Sequence, residues 1–318
     1  CRFAVKYEDG FDAKLPHLTP LRNAVRAFTL RSLAHLAADN SKAAMADLET
    51  ALSLSECIKE EPLLISQLVR STMLAETFQA VWEGLAQKKW NAVQLAALEK
   101  RLAAIDLFEG YRKGMLGERV LAIHSFEQMR GDPDKARGLL GKQFPEGDYE
   151  QWMDKNLVTL NETHLFFYNQ IFGGGIRLIR PSVQGDLEIE IKELKKEPDF
   201  LFTSMWMPSF NWMNKLGVTQ AAVDQAHIAW LLELHQLKHK RHPARLPDLK
   251  VRLPVDLMSG KPYVYKPGFK GRYYLYGVGW NQKDEGGKTV LKGEGRPDQK
   301  VGDVVWSYFH VPPSDLKE

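Results

Sequence analysis

The sequence predicts a mainly α-helical protein that ends in a small α+β module. Apolar residues recur at three- and four-residue spacing from residue 21 to about residue 129, which is typical of helices that bury one face. After Pro243 the pattern changes to short apolar runs separated by glycine and proline, which indicates strands. We therefore predict a helical domain over residues 1–212, with an irregular N-terminal arm, and an α+β module over residues 213–318. Each of the two is expected to have a core of its own.

Breaker and capping residues divide the helical domain into about six predicted helices. Pro20 suits a helix start, and Asp39-Asn40-Ser41 marks a turn followed by an N-cap. Gly173-Gly174-Gly175 ends the last helix. The predicted helices cover approximately residues 21–36, 44–54, 63–86, 93–105, 107–129 and 149–171, with loops at Asp132-Pro133 and at residues 145–148.

The C-terminal module is predicted to contain a long helix packed on an antiparallel sheet. Residues 218–238 form this helix, and its centre is apolar on all sides, so we expect it to be largely buried. A short charged helix and an apolar segment precede it, at residues 186–196 and 200–212. The predicted strands are residues 263–265, 272–276 and 304–306.

Composition excludes several classes of protein. The 318 residues are 44% apolar and 26% charged, as in soluble globular proteins. The 43 basic and 40 acidic residues leave a net charge of +3, which provides no concentrated phosphate-binding face. We therefore expect no nucleic-acid partner. No apolar run approaches the length of about 18 residues that a membrane-spanning helix needs.

The two cysteines, Cys1 and Cys57, are too few for a disulfide framework. Cys57 lies among predicted helical residues and is interpreted as a small core residue or an inert thiol. The chain begins at Cys1 rather than at methionine. This start suggests membrane attachment through an N-terminal anchor missing from the sequence or through lipid on Cys1.

Four motifs in the last quarter of the chain follow the order of a helix end, a proline-bounded loop, a hairpin and a closing strand. They are His242-Pro-Ala-Arg-Leu-Pro247, Asp256-Leu-Met-Ser-Gly-Lys-Pro-Tyr263, the run from Tyr274 to Gly287, and Gly302-Asp-Val-Val-Trp306. This order resembles the C-terminal module of type II secretion major pseudopilins. The whole chain also resembles anchored envelope proteins of planctomycete and verrucomicrobial bacteria. Both resemblances imply an exported, envelope-associated protein, either periplasmic or at the cell surface.

The pseudopilin resemblance also implies a calcium site in the loop from Gly277 to Asp303. The corresponding pseudopilin loop binds calcium through carboxylates and backbone carbonyls, and calcium needs six to eight oxygen ligands. The side chains available are Asn281, Asp284, Glu285, Asp298 and Asp303. Asn281 stands where that family often has aspartate, and basic side chains that oppose a divalent ion are present at Lys283, Lys288, Lys292, Arg296 and Lys300. A surface loop without an ion is the alternative.

Residues 30–58 resemble a tetratricopeptide unit. Ala44, Leu48 and Ala51 match the small and large positions of that family's second helix, whereas Asp39 replaces the usual turn glycine. A single unit is recognisable, so a full repeat array is not predicted. An ordinary helix hairpin is the alternative.

Two polar groups near residue 240 each have two interpretations. His235 and His239 are four residues apart on one predicted helical face, as two zinc ligands would be, but a packed helix end is the preferred interpretation. Lys238, Lys240 and Arg241 either contact an acidic or anionic partner or form a solvated helix end.

The leading functional hypothesis is a non-enzymatic, envelope-associated interaction or assembly protein. The chain has no Gly-x-Ser-x-Gly nucleophile motif and no recognisable cysteine–histidine or carboxylate pair, so an enzyme is not favoured. A helical surface would bind a protein partner, and the pseudopilin-like module would dock or self-assemble. The predicted interaction residues are Trp206, Trp212, Lys238, Lys240, Arg241 and Trp280.

Two alternatives remain open from the sequence. One is an enzyme of unknown class with its site at the domain junction, near Glu118, His164 or His227. The other is a subunit of a homopolymeric extracellular filament.

Overall fold

Nine α-helices and five short β-strands make up the described part of the chain, with the helices first and the strands last. This computed structural model describes residues 3–141, 144–197, 203, 207, 209–268, 272–292 and 297–306. It confirms the predicted fold class, mainly α with a small C-terminal α+β region. The helices are α1 Leu18–Ala37, α2 Ser41–Glu56, α3 Leu64–Ala86, α4 Ala92–Ala103, α5 Leu107–Arg130, α6 Pro133–Leu140, α7 Tyr149–Phe172, α8 Pro181–Leu194 and α9 Asn211–His239.

Side-chain caps explain where several helices begin. The Asn91 side chain accepts hydrogen bonds from the N–H groups of Val93 and Gln94, and the Gln94 side chain accepts one from the Asn91 N–H, each at 3.0 Å. Asn40 caps α2 by accepting from the Ala43 N–H at 3.1 Å. Such bonds satisfy N–H groups that the first helical turn leaves unpaired. The N-cap predicted near residue 40 is therefore confirmed.

Three helices differ from the prediction. α6 falls where the sequence predicted only a break, although Asp132 caps it and Pro133 occupies its first turn, which is a favourable helix start. α8 begins at Pro181 instead of residue 186, and α9 begins at Asn211 instead of residue 218. The first turns of α9 bury one face of the helix. In the sequence, their apolar spacing covers too few residues to be separated from the proline-containing apolar segment just before them.

The α1–α2 pair is held by a close approach and an ion pair. The buried Ser32 hydroxyl donates to the Ala44 carbonyl at 2.8 Å, and Arg31 binds Asp47 at 2.5 Å. The connecting Asp39 has a φ of 58°, the left-handed conformation that a turn glycine usually adopts. The resemblance to a tetratricopeptide unit stays a prediction.

A three-stranded antiparallel sheet includes the last residues that the structure describes. β1 (Val264–Pro267) pairs with β2 (Tyr273–Gly277), and β2 pairs with β5 (Val304–Trp306). Leu275 lies opposite Trp306, and both side chains are buried. The predicted hairpin and closing strand are confirmed.

A second, two-stranded sheet lies inside the stretch predicted as one loop. β3 (Thr289–Leu291) and β4 (Pro297–Gly302) are antiparallel. All three residues of β3 are exposed, so no alternation of buried and exposed side chains indicates the strand in the sequence. The prediction of a single irregular loop from residue 277 to residue 303 is therefore wrong.

One hydrophobic core joins the helices to the three-stranded sheet. α9 lies between them and packs on α3 and α4 as well as on β2 and β5. Its centre is buried, as predicted, and a single cluster of buried side chains runs from Leu36 to Trp306. The expectation of separate cores on the two sides of residue 212 is therefore wrong, because α9 buries surface against both parts. The division into domains at that residue stays a prediction.

Cys57 directly follows α2 and is disulfide-bonded. The interpretation of Cys57 as an inert thiol is therefore wrong. Cysteine spacing cannot reveal a bond of this kind, because a disulfide requires that the fold bring two Cα atoms within about 7 Å. The other cysteine of the sequence, Cys1, lies outside the described residues.

Among the residues with described positions, no helix combines the length and apolar character required to cross a bilayer.

Candidate functional site

The stretch predicted to bind calcium lies between β2 and β5, and Asp303 is its most buried carboxylate. Asp303 is 4% exposed, and its Oδ2 accepts from the N–H groups of Gly287 at 2.7 Å and Lys288 at 3.3 Å. Burial raises the pKa of Asp303, hydrogen bonds from the backbone of Gly287 and Glu285 lower it, and the charge of the Glu285 side chain raises it. The structure therefore brings Glu285 and Asp303 together.

Two carboxylate oxygens in this pair are buried and have no hydrogen-bond donor among the described residues. They are Asp303 Oδ1 and Glu285 Oε2. The other oxygen of Glu285 accepts from the Asn281 side-chain amide at 2.6 Å, so Asn281 belongs to the same group. A buried carboxylate oxygen without a partner is costly, and a cation is the ligand that its charge favours.

The two remaining predicted ligands have other partners. Asp284 accepts from the Tyr276 hydroxyl at 3.1 Å and from the Gly286 N–H at 2.9 Å. Asp298 lies on β4, where the Lys300 N–H and then Lys292, at 3.2 Å, lower its pKa. Within the described ranges, no three His, Cys, Asp or Glu side chains are placed to bind a metal ion together. Glu285 and Asp303 would thus need oxygens from the backbone or from water to complete a calcium shell.

The histidines near the end of α9 have structural roles. His235 and His239 lie against each other with ring centroids 4.3 Å apart, and His235 Nδ1 lies 2.9 Å from the Arg241 carbonyl oxygen. His242 lies 3.2 Å from Glu233, and His227 lies 3.4 Å from Glu99. These contacts fit the interpretation of a packed helix end.

The predicted interaction residues separate into buried and exposed groups. Trp212 is 4% exposed and stacks on Tyr111 at a centroid distance of 5.2 Å, so it belongs to the core. Trp280 is half-buried, and Trp206 lies outside the described residues. Lys238, Lys240 and Arg241 are exposed at the C-terminal end of α9. We call these three side chains the basic end.

The polar residues that would mark an enzyme site at the junction come from three helices, Glu118 from α5, His164 from α7 and His227 from α9. Glu118 accepts from the Leu64 N–H at 3.0 Å and thereby caps α3, and burial raises its pKa. His164 is 1% exposed within α7, and His227 faces α4 through Glu99. The enzyme site at the junction stays a prediction.

Five polar residues on α3 and α5 have partners of their own: Arg70, Glu76, Glu83, Arg119 and His124. Arg70 is 2% exposed and binds both oxygens of Glu56, at 2.8 and 3.0 Å. The other four contact different partners. Glu76 pairs with Arg22, and Glu83 accepts hydrogen bonds from Gln79 and Gln87. Arg119 donates to Asn161, and the His124 ring lies against the Glu8 carbonyl oxygen. Arg70 thus forms a largely buried ion pair with Glu56.

A buried polar network that the sequence did not reveal lies where α9 meets the sheet. Asp224 accepts from Gln220 at 2.7 Å and from the Tyr263 hydroxyl at 2.9 Å, and Gln220 accepts from the Leu107 N–H at 2.8 Å. Burial raises the pKa of Asp224 to about 6, although the bond from Gln220 lowers it. An aspartate inside an apolar helix centre was the one available signal.

Comparison of the chain with models of protein families, with curated proteins and with solved structures finds no match.

Proposed function

We propose that this protein is a non-enzymatic, envelope-associated interaction or assembly protein that contacts a protein partner through its basic end. The observation that carries this proposal is the exposure of three cations at the terminus of the longest helix. Within the described residues, none of the three forms an ion pair. Uncompensated charge of this kind attracts an acidic partner and speeds its association.

The disulfide at Cys57 supports the envelope location. Disulfides form and persist in oxidising compartments such as the periplasm and the cell surface, and they are rare in a reducing cytosol.

Charge reversal at the basic end should remove the partner. We expect Lys238→Glu with Arg241→Glu to reduce cross-linked complexes about tenfold, because close charge pairs at interfaces are commonly worth 1.4 kcal/mol or more. The measurement is quantitative cross-linking of the full chain in the native envelope fraction, together with light scattering of the purified protein to detect self-assembly.

The matched control is Lys192→Glu with Lys195→Glu, because these lysines are exposed near the end of another helix, α8. Equal complex formation by the basic-end variant and the wild type would contradict the proposal. So would a protein absent from the envelope fraction.

We propose calcium binding by the Glu285–Asp303 pair as a second function. The two buried oxygens without donors support it, since an oxygen-rich site at the surface suits calcium of extracellular affinity, with a Kd of roughly 0.1–1 mM. When bound, the ion would neutralise both carboxylates. Asn281 would keep Glu285 in position through its amide.

Calcium at about 10 mM is expected to stabilise the wild type by about 1.4 kcal/mol or more through preferential binding to the folded state. Asp303→Asn and Glu285→Gln should abolish this shift and the heat of titration. Asp298→Asn should preserve both, because Asp298 is paired with Lys292. Calorimetry and thermal melting measure the effect, and a wild type without heat or shift rules out the site.

A further inference from the structure

A small groove opens beside the basic end, between the C-terminal ends of α3 and α9 and the side of α4. Its volume is about 240 Å³, and its main lining residues are Leu85, Lys88, Trp90, Gln236, Leu237 and Lys240. The Trp90 ring is 5% exposed and packs closely over Gly84, where a methyl group would overlap it. We call this feature the α3–α9 groove.

Both lysines of the α3–α9 groove have a strained backbone. Lys88 has a φ of 55° and Lys240 a φ of 60°, and each follows the last turn of a helix. Glycine is the usual residue at such a left-handed position, because other side chains crowd the backbone there. Strained residues are often found where a ligand is held. Two lysines at two such positions therefore meet at one groove, although they come from distant parts of the sequence.

The groove has one apolar wall and lysines at its edge. Leu237 is 38% exposed and forms an apolar wall together with Leu85 and Trp90. Glu233, a lining carboxylate, is buried and held by His242 at 3.2 Å, so it is not available to the two lysines. At the adjoining end of α9, partial desolvation and then the charges of His235, Lys238 and Arg241 lower the pKa of His239, as a positive potential there would.

The size of the groove limits what it can receive. Sites for whole small-molecule ligands usually measure about 300–1,000 Å³, so about 240 Å³ suits one large side chain better. Gln236 Oε1 is buried without a partner among the described residues and lines the same space, where a peptide N–H could reach it. An acyl chain has neither an N–H group for this acceptor nor a negative charge for the two lysines, so it would fit the groove less well than a peptide.

We propose that the α3–α9 groove receives one large apolar side chain from an acidic protein segment, while Lys88 and Lys240 bind carboxylates on either side of it. This inference rests on the proposed function and specifies the chemistry of the partner. The buried side chain would contribute affinity, and the two flanking cations would contribute specificity.

The strain at the lysines gives the proposal a distinctive test. Lys88→Gly and Lys240→Gly should each raise the melting temperature by about 1–3 °C, since they relieve the left-handed backbone. The same variants should weaken binding at least tenfold, because the cations are lost. Lys250→Gly is the matched control: Lys250 has a φ of 57° and is exposed, but it is not part of the groove lining.

The probe is a random-peptide phage library selected against the wild-type full chain. We expect enriched sequences with one Phe, Trp or Leu flanked by Asp or Glu. A labelled enriched peptide should lose at least tenfold in affinity, by fluorescence anisotropy, with Lys88→Gly or Lys240→Gly and should bind Lys250→Gly like the wild type. Its version with the apolar residue replaced by serine should also bind at least tenfold more weakly.

Several outcomes overturn the proposal. The selection could enrich no peptides, or it could enrich peptides without acidic residues. All three glycine variants could bind the enriched peptide equally weakly. The protein could also bind phosphatidylglycerol vesicles through the two lysines while the selection enriches no peptide. If any of these occurs while Lys238→Glu with Arg241→Glu still removes the native complex, the groove inference fails and the proposed function stands. If the native complex is unaffected by that charge reversal, the proposed function fails on its own.

Discussion

Replacing Trp230 by alanine is expected to lower the free energy of unfolding by about 3–5 kcal/mol, the usual cost of removing a large core aromatic. Trp230 is fully buried in α9, and its Nε1 donates to the Leu95 carbonyl of α4. Its ring lies 6.2 Å from that of Trp90, which follows α3. The substitution would leave a cavity between three helices and one carbonyl without its donor.

The same variant tests whether the molecule unfolds as one unit. Because one buried cluster includes side chains of the sheet, of α9 and of every other helix except α6, we expect far-ultraviolet circular dichroism and tyrosine fluorescence to report one transition at a lower denaturant concentration. Trp280→Ala is the control, and it should cost less because that side chain is only half-buried. If the tyrosine fluorescence changed only after the helical circular dichroism had been lost, the helices and the sheet would be two independent domains.

Asp224→Asn is expected to change the free energy of unfolding by an amount that depends on pH. Burial raises the pKa of Asp224 to about 6 in the folded protein, above the ordinary value of 3.8. The unfolded chain therefore ionises more easily than the folded one. Asp224 consequently destabilises the fold above pH 6, by roughly 3 kcal/mol, and this penalty disappears as the pH falls from 6 to 3.8.

Asparagine has the same shape but no charge to desolvate. We expect the stability of Asp224→Asn relative to the wild type to be highest above pH 7 and to fall by roughly 3 kcal/mol on acidification to below pH 4. The pH dependence of this difference is the measurement, because rearrangement of the bonds from Gln220 and Tyr263 shifts the curve by a constant amount. Denaturant titrations across this range provide it.

The control for this prediction is Asp134→Asn. The Asp134 side chain is 91% exposed, so its substitution should leave the pH profile unchanged. A flat difference between Asp224→Asn and the wild type would mean that Asp224 is hydrated or that it has another charge partner in solution.

Local signals in the sequence explain the successes of the prediction. Asn40 and Asn91 cap helices through hydrogen bonds that span no more than three residues, so their effect can be read without knowledge of the fold. The missed helix α6 also carried a local signal, since Asp132 followed by Pro133 is a good helix start as well as a break. The prediction took these two residues as a break alone.

The candidate calcium residues show the limit of such reading. The sequence predicted five oxygen ligands in one loop, but the β3–β4 sheet places Asp298 beside Lys292 and leaves Glu285 with Asp303. Which carboxylates meet depends on a strand pairing whose exposed residues carry no periodic pattern. The pairing therefore could not be predicted from composition or spacing.

Consecutive amphipathic helices, a hairpin and a closing strand could be predicted from the residues alone, because periodicity and capping act between residues a few positions apart. The burial of α9 against both parts, and the meeting of Lys88 and Lys240 at one groove, could not be predicted in this way. These features depend on how side chains distant in sequence fill a common space, and close packing decides that for the whole molecule at once.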